Sequence, residues 1–215
     1  MAFDVPVEVK VRADYACFTR PEMKVERVSY PVMTPSAARG VLEAIFWKPE
    51  FAWRVREIGV LRPIRYASFM RNEVNSRASE RSAKTWAASD GGFFASEDRT
   101  QRNTLALYDV AYVIRADVVP VVAEPGAEAK YRDQFRRRVV RGQCFAQPYL
   151  GCREFTASFE APDGRERYEE VTMDLGRMLL DLDYAPDRSG NATPRFFQAK
   201  VERGVLRVPR SAGEV

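Results

Sequence analysis

The run from Thr104 to Val122, TLALYDVAYVIRADVVPVV, leaves this chain the fewest choices of fold. Ala106, Tyr108, Val110, Tyr112 and Ile114 alternate with Leu107, Asp109, Ala111, Val113 and Arg115. Apolar groups fall on both parities, which is the pattern of a strand covered on both faces inside a sheet. Pro120 and Pro125-Gly126 end it. The remaining segments must therefore supply its neighbours and its covering helices.

Val5 to Tyr15, VPVEVKVRADY, puts four valines on one face and Glu8, Lys10 and Arg12 on the other, a half-buried strand. Thr34-Pro35 starts a helix, with Thr34 as cap and Pro35 at the first helical position. AARGVLEAIFW then sets Ala37, Val41, Ala44 and Ile45 on one face, and Pro49 stops it. Trp53 to Phe69 reads as a second strand with an edge or bulge at Pro63. Asn75 to Thr100 is polar, contains Gly91-Gly92 and reads as a long mobile loop. Ala127 to Arg141 is a helix with Tyr131, Phe135 and Val139 at spacing four, stopped by Gly142. REFTASF, ending at Phe159, supplies a further strand. The order is strand, helix, strand, strand, helix, strand: an α+β, ferredoxin-like (RRM-like) βαββαβ pattern. Beyond it, MDLGRMLLDLDY, PRFFQAKVE and VLRVP read as three short strands, the last two a hairpin about Arg203-Gly204. The expected organisation is residues 1–160 as the main domain and 161–215 as a small C-terminal antiparallel sheet.

Composition narrows the chemistry. The net charge is +4, and Arg outnumbers Lys 28 to 6, favouring planar bidentate phosphate donors. There is no histidine, which removes the side chain best suited to proton transfer near neutral pH and all His-based metal sites. Cys17, Cys144 and Cys152 are odd in number and hold no CxxC pair, so neither a disulfide framework nor a zinc site is expected. Three reduced thiols, an N-terminus unlike a signal peptide and no membrane-length apolar run together point to the cytoplasm.

Four segments carry a resemblance: YACFTRPEMKVERVSYPVMTPSAARGVLEAIFWKPEF, RNTLALYDVAYVIRADVV, FRRRVVRGQCFAQPYLGCREF and LGRMLLDLDY. The chain resembles the CRISPR-associated Cas-five family, subtype I-C (Dvulg), of the RAMP superfamily, from Val5 to about Val208. The resemblance implies a ferredoxin-like domain followed by a small sheet. It implies cleavage of precursor CRISPR RNA at the repeat hairpin by 2′-hydroxyl attack, with neither metal nor cofactor. It further implies retention of the 5′ handle within a type I-C surveillance complex, beside Cas-seven and Cas-eight subunits.

Such cleavage needs a base for the 2′-hydroxyl proton, an acid for the leaving 5′-oxygen and a cation for the phosphorane. The family's Tyr falls on Phe46 here, its Lys on Lys130 and its His on Tyr131. Phe46 carries no proton. A phenol ordinarily titrates at ~10, which makes tyrosine a poorer base near neutral pH than the histidine it replaces. Tyr30 is a substitute proton carrier. Tyr131 also fits a packing stripe with Phe135 and Val139.

Candidate RNA contacts are Arg20, Lys24 and Arg27 in the loop after the first strand, Arg65, Arg71, Asn72 and Arg77, and Arg99, Gln101, Arg102 and Asn103. The densest patch is Arg132, Arg136, Arg137, Arg138 and Arg141, where residues 127–142 carry six basic against two acidic side chains. Such a patch also suits a solvated helix end. Gly151, near Phe145 and Tyr149, allows a close backbone approach to phosphate. The competing readings are a non-catalytic handle-binding subunit and a general binder that also takes double-stranded DNA.

Overall fold

The computed structural model describes residues 5–23, 25–76, 79–89, 91–122, 124–184 and 191–210. In chain order the elements are β1 (Val7–Ala16), β2 (Arg27–Val28), α1 (Pro35–Ile45), β3 (Phe51–Val60), β4 (Tyr66–Val74), α2 (Glu80–Ala88) and β5 (Arg99–Pro120). They continue with α3 (Ala127–Val140), β6 (Ser158–Glu160), β7 (Met173–Tyr184), β8 (Ala192–Glu202) and β9 (Val205–Arg207). The fold is α+β, with few helices and one mostly antiparallel sheet of order β6-β1-β5-β3-β9-β8-β7. β2 and β4 also pair with β5, and the β2 pairing is parallel.

β5 is the spine, as its two apolar faces require. One edge carries β1, from Val7 opposite Ala116 to Ala16 opposite Leu107. The other edge changes partner: β3 covers Tyr112 to Pro120 and β4 covers Arg99 to Leu107. At the changeover Asp109 adopts φ 51°, a left-handed conformation that Asp tolerates better than most residues. Arg62 and Arg65 face its carboxylate at 3.9 and 3.7 Å. This break divides the segment expected as a single strand, Trp53 to Phe69, into β3 and β4, with Pro63 in the connection.

α1 begins as expected, with Thr34 Oγ1 accepting from the Ala37 amide at 3.2 Å. Its buried residues are Pro35, Ala38, Val41, Leu42 and Ile45, so Val41 and Ile45 face the core as expected while Ala37 and Ala44 are only partly buried. α3 buries Tyr131, Phe135 and Val139. At its end the Gly142 amide bonds Val139 O at 3.1 Å and the Gln143 amide bonds Arg138 O at 2.9 Å, with Gly142 at φ 63°. That pair of bonds is the Schellman stop that a glycine permits. The core lies where α1 and α3 cover the apolar sides of β1, β3 and β5, with β7 beside α1.

Other segments depart from expectation. Residues 75–100, read as a loop, hold α2, capped by Ser79 Oγ on the Ser82 amide at 3.0 Å, and the first residues of β5. No residue of α2 is buried, so no apolar stripe announced it. REFTASF is mostly turn, with only Ser158–Glu160 extended. The last strands are not all short: β7 has 12 residues and β8 has 11. β8 and β9 form the expected hairpin, with Arg203 and Gly204 both at positive φ. Through β9 this hairpin pairs with β3. No helix among the described residues is long and apolar enough to cross a membrane.

Candidate active site

A helix end leaves its last carbonyls without intrahelical partners. At the end of α1 three segments supply them. Ala44 O accepts from the Phe145 and Ala146 amides at 2.8 and 3.0 Å. Ile45 O accepts from Arg138 Nη1 at 3.0 Å, and Phe46 O from Trp53 Nε1 at 2.9 Å. Arg138 places its charge at the negative end of the α1 dipole and lies 5.1 Å from the Phe46 ring centre. The position of Phe46 is thus set by the end of α1, by α3, by β3 and by the chain after Gly142.

Tyr131, in the first turns of α3, meets the same corner. Its ring is stacked on Phe51 at 4.9 Å and 28°, and lies 6.4 Å from Phe46. Phe51 is 5.2 Å from Trp53 at 89°, and Trp53 is 4.8 Å from Phe135. These stacked and edge-on arrangements make a stiff aromatic floor. Phe46 is 2% exposed and Tyr131 7%. Two ammonium groups stand at the Tyr131 ring: Lys130 Nζ at 5.6 Å from its centre and Lys48 Nζ at 6.0 Å. The structure therefore brings Phe46, Lys130, Tyr131 and Arg138 together. Chemically the corner offers three cations and one phenol above an apolar base, a setting for a phosphate beside unstacked bases.

Tyr30 lies elsewhere. It is fully buried, the Arg20 guanidinium sits 4.6 Å from its ring centre, and burial pushes its phenol up, so it stays protonated at neutral pH. Arg27, Arg71 and Gly151 form another cluster. Arg27 bonds Glu73, Glu154 and Cys152 Sγ at 3.3, 3.2 and 3.3 Å. Arg71 bonds Glu73 at 2.7 Å and Thr104 Oγ1 at 2.6 Å. Both guanidiniums are answered by this chain's own carboxylates. Gly151 does sit at a close approach, with φ 84°, but to the Cys17 carbonyl, where a Cβ would stand 2.0 Å from the oxygen.

Arg102 bonds Asn75 Oδ1 at 3.2 Å on the β4–β5 hairpin, which also carries Asn72, Arg99, Gln101 and Asn103. On α3, Arg132 pairs with Glu128 at 3.3 Å and Arg136 with Asp133 at 3.9 Å. Arg137 and Arg141 are exposed and make no ion pair with a described carboxylate. Phe145 and Tyr149 are 78% and 40% exposed. Lys24 and Arg77 lie outside the described residues. Among the described residues no three His, Cys, Asp or Glu side chains gather as a metal site.

Sequence reasoning passed over Lys48, Phe51 and Trp53. The available signal for Lys48 was its place two residues after Phe46. Nothing local shows that the chain after Pro49 turns back so that Phe51 stacks on a helix far along the sequence.

Comparison with known proteins places these features in a family. The family model described as CRISPR-associated protein (Cas_Cas5), of the Cas5d type, matches residues 7–209. The CRISPR pre-crRNA endoribonuclease Cas5d of Thermus thermophilus is 46% identical over 220 residues, covering 94% of this chain and 91% of that protein. Its counterpart in Mannheimia succiniciproducens is 44% identical over 217 residues, covering 94% of each. A crystal structure of a CRISPR-associated protein superposes with TM-score 0.66 at 22% identity, over 97% of this chain and 93% of that one. A functionally uncharacterised protein from Streptococcus mutans gives TM-score 0.66 at 21% identity, over 98% and 95%. The last two speak to fold alone. By the family match over nearly its whole length and by relatives at this level of identity, the chain belongs to the Cas5d family of CRISPR-associated proteins.

Proposed function

We propose that this protein is a precursor-CRISPR-RNA endoribonuclease whose active site is the corner between the end of α1 and the start of α3. One observation supports the placement: Phe46, Lys130 and Tyr131, onto which the resemblance carries the family's catalytic positions, meet at one aromatic cluster with ammonium groups beside it. The reaction is attack of the 2′-hydroxyl on the adjacent phosphate. It leaves a 2′,3′-cyclic phosphate on one product and, after protonation of the departing oxygen, a 5′-hydroxyl on the other. The RNA supplies its own nucleophile, so the protein's part is to align the 2′-oxygen with the leaving oxygen and to hold the phosphorane charge. Lys130 supplies charge, and the Tyr131 phenol is the one proton-bearing hydroxyl among the clustered aromatic rings. With Phe in place of Tyr at residue 46, one acid–base group is gone, a loss of typically ~10²–10⁴-fold for such a group.

The finer reading belongs to the same proposal. The order β6-β1-β5-β3, with α1 and α3 as its two crossing helices, supports a ferredoxin-like core followed by β7 to β9. The product's 5′ handle stays bound along Arg136, Arg137 and Arg141, and the protein serves as a type I-C subunit beside Cas-seven and Cas-eight partners.

The test is cleavage of the host's CRISPR repeat RNA in EDTA by wild type, Lys130→Ala and Tyr131→Phe. A 2′-deoxy substitution at the scissile nucleotide is the substrate control. Expected are EDTA-resistant cutting, none of the 2′-deoxy RNA, and losses of ~10²-fold or more in Lys130→Ala. Tight binding without cutting supports the second reading, a handle-binding subunit. The observations favouring that reading are the protonless Phe46 and the 7% exposure of Tyr131.

A further inference from the structure

Three of the five described lysines are answered by a carboxylate. Lys10 pairs with Glu160 at 3.1 Å, Lys84 with Glu80 at 2.7 Å and Lys200 with Glu202 at 2.8 Å. Among the described lysines only Lys48 and Lys130 make no ion pair with a described carboxylate, and both stand at the same ring, that of Tyr131. They arrive from different elements. Lys48 lies in the turn between α1 and β3, its carbonyl accepting from the Phe51 amide at 3.5 Å, and Lys130 lies in the first turn of α3. Arg138 adds a third cation over Phe46. The acidic residues of α3 are turned to other work: Glu128 pairs with Arg132, and Asp133 faces Arg136. Glu50, two residues after Lys48, bonds neither lysine.

Cation–π attraction to the ring favours a single ammonium group at each site. Nothing in that attraction calls for two lysines at one ring. A group carrying more than one negative charge does, because two cations placed at one ring both gain when an anion docks beside it. A phosphorane in RNA cleavage carries that charge.

We propose that Lys48 is a catalytic residue, a second phosphate-stabilising cation that shares the scissile phosphate with Lys130. The proposal rests on the active-site placement above and adds to it a residue from the turn after α1. Lys48 stabilises the phosphorane more than the ground-state phosphodiester, because charge builds on the non-bridging oxygens during attack. Its removal therefore slows the chemical step more than it weakens binding.

The test compares Lys48→Ala, Lys48→Arg, Lys130→Ala and Lys84→Ala, the last a control on exposed α2. Single-turnover cleavage of repeat RNA is measured at saturating protein, together with affinity for the 2′-deoxy repeat RNA and thermal melting. Expected for Lys48→Ala is a fall of ~10²-fold in rate, with affinity within a few-fold of wild type and an unchanged melt. Lys48→Arg should recover part of the rate, since the charge returns, and Lys84→Ala should match wild type. A Lys48→Ala rate within threefold of wild type while Lys130→Ala fails overturns the assignment and leaves the active-site placement standing. An unchanged saturating rate with weakened affinity makes Lys48 a binding residue and overturns it too. If neither lysine matters, or wild type does not cut, the placement falls and this inference with it.

Discussion

Two glycines show how far a single Cβ can matter here. Gly151 holds φ 84°, and a Cβ on it would stand 2.0 Å from the Cys17 carbonyl oxygen, at the point where the Cys17 amide bonds Leu150 O at 3.1 Å. The alanine variant meets both an unfavourable backbone conformation and a backbone clash that no rotamer relieves. Gly151→Ala should cost about 2–4 kcal/mol and lower the melting temperature by roughly 10 °C. Gly40 is the opposite case. It is exposed on α1, and a Cβ there has nothing within 4 Å. Gly40→Ala should stabilise by up to about 1 kcal/mol, a rise of about 2–4 °C, since a mid-helix glycine loses only backbone freedom. Thermal melts of both variants check the pair. A Gly151→Ala melt equal to wild type would mean that the 149–156 turn is not seated on the end of β1.

At the scale of elements, α3 separates two kinds of arginine. Arg136, Arg137 and Arg141 are exposed, whereas Arg138 is partly buried and bonds Ile45 O at 3.0 Å. Alanine at each exposed position should weaken binding of 2′-deoxy repeat RNA and leave the melt unchanged. It should also reduce the salt slope by about 0.7–0.9 for each phosphate that is no longer neutralised. Arg138→Ala should instead lower stability by about 1.5–3 kcal/mol, because it strips a charged donor from the end of α1, and it should slow cleavage by loosening Phe46. Binding titrations at several salt concentrations, set beside thermal melts, separate the two kinds. The sequence announced α3 well, through Tyr131, Phe135 and Val139 at spacing four and the Gly142 stop, and α1 through Thr34-Pro35. It marked Pro63, which lies in the β3–β4 connection, but not that β5 changes partner there, since that changeover sits at Asp109 on a distant strand. Nor could it announce α2, which buries nothing. The proposed active-site corner was half legible. Phe46, Lys130 and Tyr131 came from family resemblance, while Lys48 joins them through the stacking of Phe51 on Tyr131, which ties together distant parts of the chain.

At the scale of the whole molecule, the sheet has a packed body and an arm outside it. The body is the path from β6 to β7, with α1 and α3 over β1, β3 and β5. The arm is the outer end of the β4–β5 hairpin, beyond the part held by β2 at Thr104 and Leu105 and by Phe69 against Tyr15 and Phe155, with α2 near its tip. Along β4 exposed and half-exposed residues alternate with none buried, and α2 has no buried residue. Met70 and Phe94 are 60% and 63% exposed, and Trp86 stacks on Phe93 at 5.9 Å within the tip itself. Since stability follows apolar area removed from water, the tip contributes little to the body. The β4–β5 ladder ends at Asn75, whose amide bonds Asp98 O at 3.0 Å, a spacing that a two-residue turn can bridge. Replacing residues 76–97 with Asn-Gly should therefore leave the melting temperature within about 2 °C of wild type, the cost of the deleted segment being only its own weak helix. It should also leave cleavage of free repeat RNA unchanged, because Lys48, Lys130, Tyr131 and the exposed arginines of α3 all belong to the body. The melt and the single-turnover rate of this variant check both halves. An abolished rate with an intact melt would move part of the RNA-binding surface onto the arm, and a lowered melt would mean that the tip packs on the body.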